Sequence, residues 1–114
     1  MSNCLFCKMV AGEIAPDKVM ETDELLAFRD IAPQAPAHIL IIPKKHIATM
    51  NDLTEEDTDL VGKMMLMARD IALKEGFAES GYRVVMNCNA DGGQAVYHIH
   101  LHLFAGRAMS WPPG

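Results

Sequence analysis

The clearest pattern of apolar and polar positions lies near the end of the chain, where His98, His100 and His102 alternate with Ile99, Leu101 and Leu103. A period of two over this length predicts a half-buried strand across 97–104, with three imidazoles on one face and aliphatic side chains on the other. A second run, His38-Ile39-Leu40-Ile41-Ile42 closed by Pro43, is apolar almost without interruption and predicts a central strand covered on both sides. Residues 18–21 and 25–29 flank Thr22-Asp23-Glu24 as a hairpin, and 82–86 read as a further strand. The period then changes. Leu60, Met64, Met67 and Ile71 form one helical stripe, and Val61, Met65, Ala68 and Ala72 form a second beside it. A helix is predicted from Thr54, whose following acids Glu55, Glu56 and Asp57 favour a helix start, to Lys74, with Gly76 as the stop. Two stripes exceed the ~100° face that one core needs, so this helix is deeply buried or meets a partner. Residues 4–10 form a short helix ended by Gly12, while 30–36 and 87–91 are loops. The sum is an α+β chain with a mostly antiparallel sheet of about five strands, one long helix and one short one.

Composition narrows the class of partner. The 114 residues suit one domain, and 50% hydrophobic with 22% charged residues is an ordinary globular balance. A net charge of −5 argues against nucleic acid polymers, whose phosphates need clustered Lys and Arg, but allows a small nucleotide. No apolar run approaches the ~20 residues of a membrane span, and nothing at the start resembles a signal peptide. Three cysteines are an odd count, so the expectation is a reduced, cytoplasmic protein without membrane partners.

Three histidines on one strand face are not needed for solubility. They suit a metal centre or a phosphate-handling site, with a solvent-facing hairpin strand as the plain alternative. Gly92-Gly93 before the strand favours phosphate, because glycines let backbone N–H groups approach an anion. On a straight strand His98 and His102 are ~13 Å apart, too far to share one metal ion. Nor does the strand carry a carboxylate, which further weakens a metalloprotein using the triad directly. Cys4-x-x-Cys7 is half of a common zinc site, or a pair of reduced thiols packed as small hydrophobes.

His98-Ile-His100-Leu-His102-Leu-Phe resembles the histidine-triad (HIT) pattern, and specifically that of its nucleotide-binding (Hint) branch. The likeness extends to Phe28-Arg29-Asp30-Ile31, to 33–38, to Ile42-Pro43-Lys44-Lys45-His46 and to Trp111-Pro112-Pro113-Gly114. It implies a single two-layer HIT domain over 1–114 that forms a homodimer and binds a purine nucleotide. The reaction it implies is hydrolysis of a nucleoside 5′-phosphoramidate or acyl-nucleotide through a covalent nucleotidyl-histidine, with no catalytic metal. His100 would be the nucleophile, the His98 carbonyl would hold its second ring nitrogen, and His102 would contact the phosphate or leaving group. His38 would support the nucleophile. Phe6, Met9, Phe28, Ile31 and Leu40 match positions around the base, and Asp30 could accept the ribose hydroxyls, although alone it reads as a turn residue. Asn87, Gly93, Gln94 and Val96 match positions facing ribose or phosphate. Some bacterial relatives carry zinc at positions matching Cys4, Cys7, His46 and His98, so a structural zinc is expected there. One departure stands out: Ala95 replaces a serine whose hydroxyl often follows the Gly-Gly-Gln. A nucleotide-binding regulator or scaffold with vestigial catalysis is therefore the alternative reading.

Overall fold

All seven residues of the strand Ala37–Pro43 (β3) are buried, because β3 occupies the middle of the sheet. The computed structural model describes residues 3–114, so the domain expected over 1–114 is seen from its third residue. Its five strands are Lys18–Glu21 (β1), Leu25–Arg29 (β2), β3, Tyr82–Val85 (β4) and Leu101–Ala105 (β5), in the order β1-β2-β3-β5-β4. Every pairing is antiparallel. The expected α+β sheet of five strands is what forms.

The two faces of the sheet are covered unequally, and that inequality creates the site. On one face Leu25, Ala27, Ile39, Ile41, Leu101 and Leu103 pack against Leu60, Met64, Met67 and Ile71 of the long helix Thr58–Glu75 (α2). Burying each large aliphatic side chain contributes roughly 1.5–3 kcal/mol, so this layer holds most of the stability. On the other face Leu26, Phe28, Leu40 and Ile42 meet Phe6 of the six-residue helix Leu5–Val10 (α1). A helix that short cannot span the sheet, and the uncovered part is a cleft.

Some boundaries differ from the sequence reading. α2 begins at Thr58 rather than Thr54, because Glu55–Asp57 forms a 3-10 turn whose capping box joins Thr54 and Asp57. Gly76 ends α2 as expected, in a left-handed conformation. Of the second stripe only Ala68 and Ala72 are buried, while Met65 stays half exposed. The polar loop 87–91 contains a helical turn, Asn89–Gly92 (α3). The triad strand starts at Leu101, not at Tyr97. Continuing the register Ile41↔Leu101 would oppose Pro43 to Ile99. Pro43 has no N–H to give the ladder, its carbonyl accepts from the His98 ring, and the Ile99 N–H donates to the Ile47 carbonyl. The alternation nevertheless persists, with Ile99 in the α2-side core and His98 and His100 against Phe6.

Candidate active site

The cleft is a cavity of about 350 Å³ between α1, the 14–17 segment and the ends of β2, β3 and β5. Phe6, Met9, Phe28, Leu40 and Val96 give it apolar walls, and Phe6 and Phe28 meet edge to face at 5.5 Å. His100 and His102 close its inner end and Asp30 lies at its rim. Ile31 also lines it but is 98% exposed, so it is an edge and not a wall.

The hydrogen bonds assign a tautomer to each buried histidine. His100 Nδ1–H donates to the His98 carbonyl at 2.8 Å, which leaves Nε2 with its lone pair free. The Gln34 backbone N–H donates to His38 Nδ1 at 3.0 Å, so the His38 proton sits on Nε2. That N–H donates to His102 Nδ1 at 2.9 Å, and the remaining His102 proton therefore sits on Nε2. The cleft thus receives one imidazole lone pair and one imidazole N–H side by side, with ring centroids 4.9 Å apart. Both rings are kept neutral. Burial is the main cause of the lowered pKa of His100, opposed by the His98 carbonyl and by Asp30. Burial, then His100 and His38, brings His102 down to about 4. Burial also lowers His38, so its 3.5 Å approach to Asp30 is not an ion pair near neutral pH.

Among the described residues, two groups of side chains are close enough to hold a metal ion. In Cys4, Cys7, His46 and His98, the Cys4 and Cys7 Sγ atoms lie 3.4 and 3.6 Å from His98 Nδ1. Cys7 Sγ is 3.3 Å from His46 Nδ1, and the two Nδ1 atoms are 3.2 Å apart. A tetrahedron with Zn–S of about 2.3 Å and Zn–N of about 2.05 Å requires S···N near 3.5 Å and N···N near 3.3 Å, so the group fits zinc. His98 Nε2–H donates to the Pro43 carbonyl at 2.7 Å, which turns the Nδ1 lone pair towards the thiols. In Asp30, His38 and His102 the fit fails. Gln34 already occupies His38 Nδ1, so a metal on Nε2 would require that ring to lose its only proton.

A HIT-domain family model matches residues 11–109. The chain belongs to the HIT family. It is 51% identical over 105 residues to a purine nucleoside phosphoramidase of Escherichia coli strain K12, across 92% of this chain and 88% of that one. Among solved structures it resembles a HIT family hydrolase from Legionella pneumophila, with 58% identity, a TM-score of 0.97, and coverage of 98% and 100%. A histidine triad protein from Clostridium difficile is 43% identical, with a TM-score of 0.93 over 96% of each chain.

Within this HIT domain His38 lies near the nucleophile, as expected, by way of His102, to whose Nδ1 it donates. Several other expected residues stand elsewhere than anticipated. Gln94 is turned inward, with its Oε1 accepting from the Asn89 N–H and its Nε2 donating to the Ala48 and Val96 carbonyls. That leaves it to shape the loop, not to face ribose or phosphate. Asn87 and Gly93 do not line the cavity either, and Gly93 caps α3 with a positive φ. Asp30 Oδ1 accepts from the Ala32 N–H, the turn bond its bland reading predicts, and the carboxylate still reaches the rim. Ala95 lies in the cavity wall. Sequence reading missed Leu5, Ile14, Pro16 and Asp17 as lining residues. The apolar Ile14-Ala15-Pro16 inside a segment without regular structure was the available signal.

Proposed function

We propose that this protein hydrolyses purine nucleoside 5′-phosphoramidates, and acyl-nucleotides of the same form, through a covalent nucleotidyl-His100. The base lies between Phe6, Phe28, Leu40 and Val96, the ribose hydroxyls reach Asp30, and the phosphorus sits over His100 and His102. His100 Nε2 attacks phosphorus while the P–N bond breaks; the nitrogen, protonated from solvent, leaves as the neutral amine, and the lone pair it regains accepts a hydrogen bond from His102 Nε2–H, which keeps its proton. The positive charge left on His100 is stabilised by the His98 carbonyl that already holds Nδ1–H. Water then cleaves the P–Nε2 bond, releasing the nucleoside monophosphate. The observation that carries this reading is the 2.8 Å bond from His100 Nδ1 to the His98 carbonyl, which frees Nε2 as a neutral nucleophile inside the cleft. The 51% identity to a purine nucleoside phosphoramidase supports the substrate class. His100→Ala should lower turnover of adenosine 5′-phosphoramidate at least roughly a thousandfold while leaving AMP binding and the unfolding midpoint close to wild type. Near-wild-type kcat in that variant overturns the mechanism. Turnover of the wild type separates it from a nucleotide-binding regulator.

Three further assignments accompany it. Cys4, Cys7, His46 and His98 hold a structural zinc, which would tie the first turn of α1 to the segment carrying the His98 carbonyl. Burial and the adjacent Cys4 hold the Cys7 thiol above its ordinary pKa, and a dication reverses that by drawing off the proton. The protein is a homodimer: Met65, Leu66 and Leu73 leave an apolar outer face on α2, and Trp111 is 81% exposed. It works in the cytoplasm, where its three free cysteines stay reduced. No described helix is long and apolar enough to cross a membrane.

A further inference from the structure

The active-site face of the sheet does not end at His102. In the register of β4 and β5, Val85 stands opposite His102 and Arg83 stands opposite Phe104. On the other side of β5, Leu40 opposes His102 and His38 opposes Phe104. Two rows therefore cross the face, Leu40–His102–Val85 and His38–Phe104–Arg83, and Arg83 is the diagonal neighbour of His102. Such neighbours have backbones ~7–8 Å apart, well within the reach of an arginine side chain. Beyond His102 this face opens into a groove of about 200 Å³ lined by Gln34, Arg83, Val85, Phe104 and Arg107 together with the C-terminal segment.

The groove holds an unusual concentration of positive charge for a chain of net charge −5. The chain has four arginines. Arg29 pairs with Glu75 and Arg69 with Asp70. Arg83 and Arg107 have no carboxylate partner among the described residues, and both line this groove. Each is held by neutral backbone carbonyls instead, Arg83 by that of Ser110 and Arg107 by those of Gln34 and Ala108. A carbonyl fixes a guanidinium without neutralising it. Arg83 donates only one of its five N–H groups in this way, so most remain available.

We infer that Arg83, assisted by Arg107, forms the leaving-group subsite and selects leaving groups carrying a carboxylate or phosphonate one carbon from the departing nitrogen. The inference rests on the proposed phosphoramidate hydrolysis. His102 Nε2–H donates a hydrogen bond to the departing nitrogen, so the substituents of that nitrogen project past His102 towards Val85, Phe104 and Arg83. An anion there accepts from a pre-positioned guanidinium.

The test compares adenosine 5′-phosphoramidates of glycine, glycinamide and aminomethylphosphonate, which differ chiefly in the charge of the distal group. Wild type should show a higher kcat/KM for the glycine and phosphonate compounds than for glycinamide, by about tenfold, the scale of one hydrogen bond to a charged group. Which anion is cleaved faster tells carboxylate from phosphonate. The advantage should shrink as salt is raised. Arg83→Gln, which keeps a donor for the Ser110 carbonyl, should erase the advantage while leaving glycinamide turnover unchanged, and Arg83→Lys should restore most of it. Wild-type rates within twofold of one another for all three compounds, or an Arg83→Gln variant that slows all three equally, would overturn the subsite. Failure of wild type to cleave any of the three would instead remove the underlying phosphoramidase reading.

Discussion

Burial of His102 makes the fold lose stability in acid by an amount set by its surroundings. Its pKa is lowered from the ordinary 6.5 to about 4, first by burial and then by His100 and His38. Above pH 6.5 the ring is neutral in both folded and unfolded chains, and the contribution is complete. Between 6.5 and about 4 the unfolded chain binds a proton that the folded one refuses, so stability falls as pH falls. Below about 4 both forms are protonated and the loss is full. The gap between 6.5 and about 4, at 1.36 kcal/mol for each tenfold change in proton affinity, is on the order of 3 kcal/mol. That is a large share of the 5–15 kcal/mol typical of a domain. The perturbation is His102→Gln, which can still accept from His38 Nε2–H but does not titrate. Urea unfolding of both proteins at pH 7.5 and pH 4.5 measures the effect. The stability of the wild type relative to the variant should drop by ~2 kcal/mol between the two pH values. The drop falls short of 3 because pH 4.5 still lies above the folded pKa of about 4, so the loss is not yet complete. A relative stability unchanged across that range would refute the argument. It would mean that His102 protonates in the fold near its ordinary pKa and enters catalysis at pH 6 as a cation.

Much of this geometry was legible because it arises from short-range periodicity. The alternation from Ile99 to Leu103 assigns the faces correctly, even though the hydrogen-bonded strand begins only at Leu101. The late start was not legible, because it depends on Pro43 lying opposite Ile99, a fact of register between strands more than fifty residues apart. The unbroken apolar run before Pro43 announced the central strand, since both faces of β3 are covered. Side-chain destinations were harder. Gln94 beside two glycines invites a phosphate-facing role, yet its amide closes three bonds within its own loop and to Ala48. The tautomer of His102 was beyond sequence reasoning altogether. It is set by a backbone N–H at Gln34, relayed through His38, from a loop whose two prolines only marked it as irregular. Cys4 and Cys7 advertised a site by spacing alone. What spacing could not tell is that His98 turns its Nδ1 to them because Pro43 takes Nε2.

Protein prepared without chelator should carry about one zinc per chain by elemental analysis, and chelation should expose Cys4 and Cys7 to thiol titration and lower the Tm. Metal-free protein with both thiols reactive in the native state would remove the zinc assignment. Ala95→Ser adds a hydroxyl to the cavity wall and should raise turnover up to about tenfold, most for basic amine leaving groups; an unchanged rate would mean that the hydrogen bond from His102 Nε2–H already serves the leaving group without help. The C-terminal segment should act on a neighbouring subunit. Trp111 is 81% exposed, an odd place for the only tryptophan, while Arg83 holds the Ser110 carbonyl at 3.0 Å and so fixes where the segment departs. Pro112 and Pro113 stiffen the end of the chain and reduce the entropy lost when the segment docks. An exposed indole on a stiff, anchored segment is suited to a partner subunit, where it would cover the leaving-group side of the other cleft. Deleting residues 110–114 should therefore change the ratio of kcat/KM between large and small amine leaving groups severalfold while AMP affinity stays within about twofold. Sedimentation as a monomer at assay concentration, or a selectivity ratio that does not move on deletion, would show that Trp111 serves no neighbouring site.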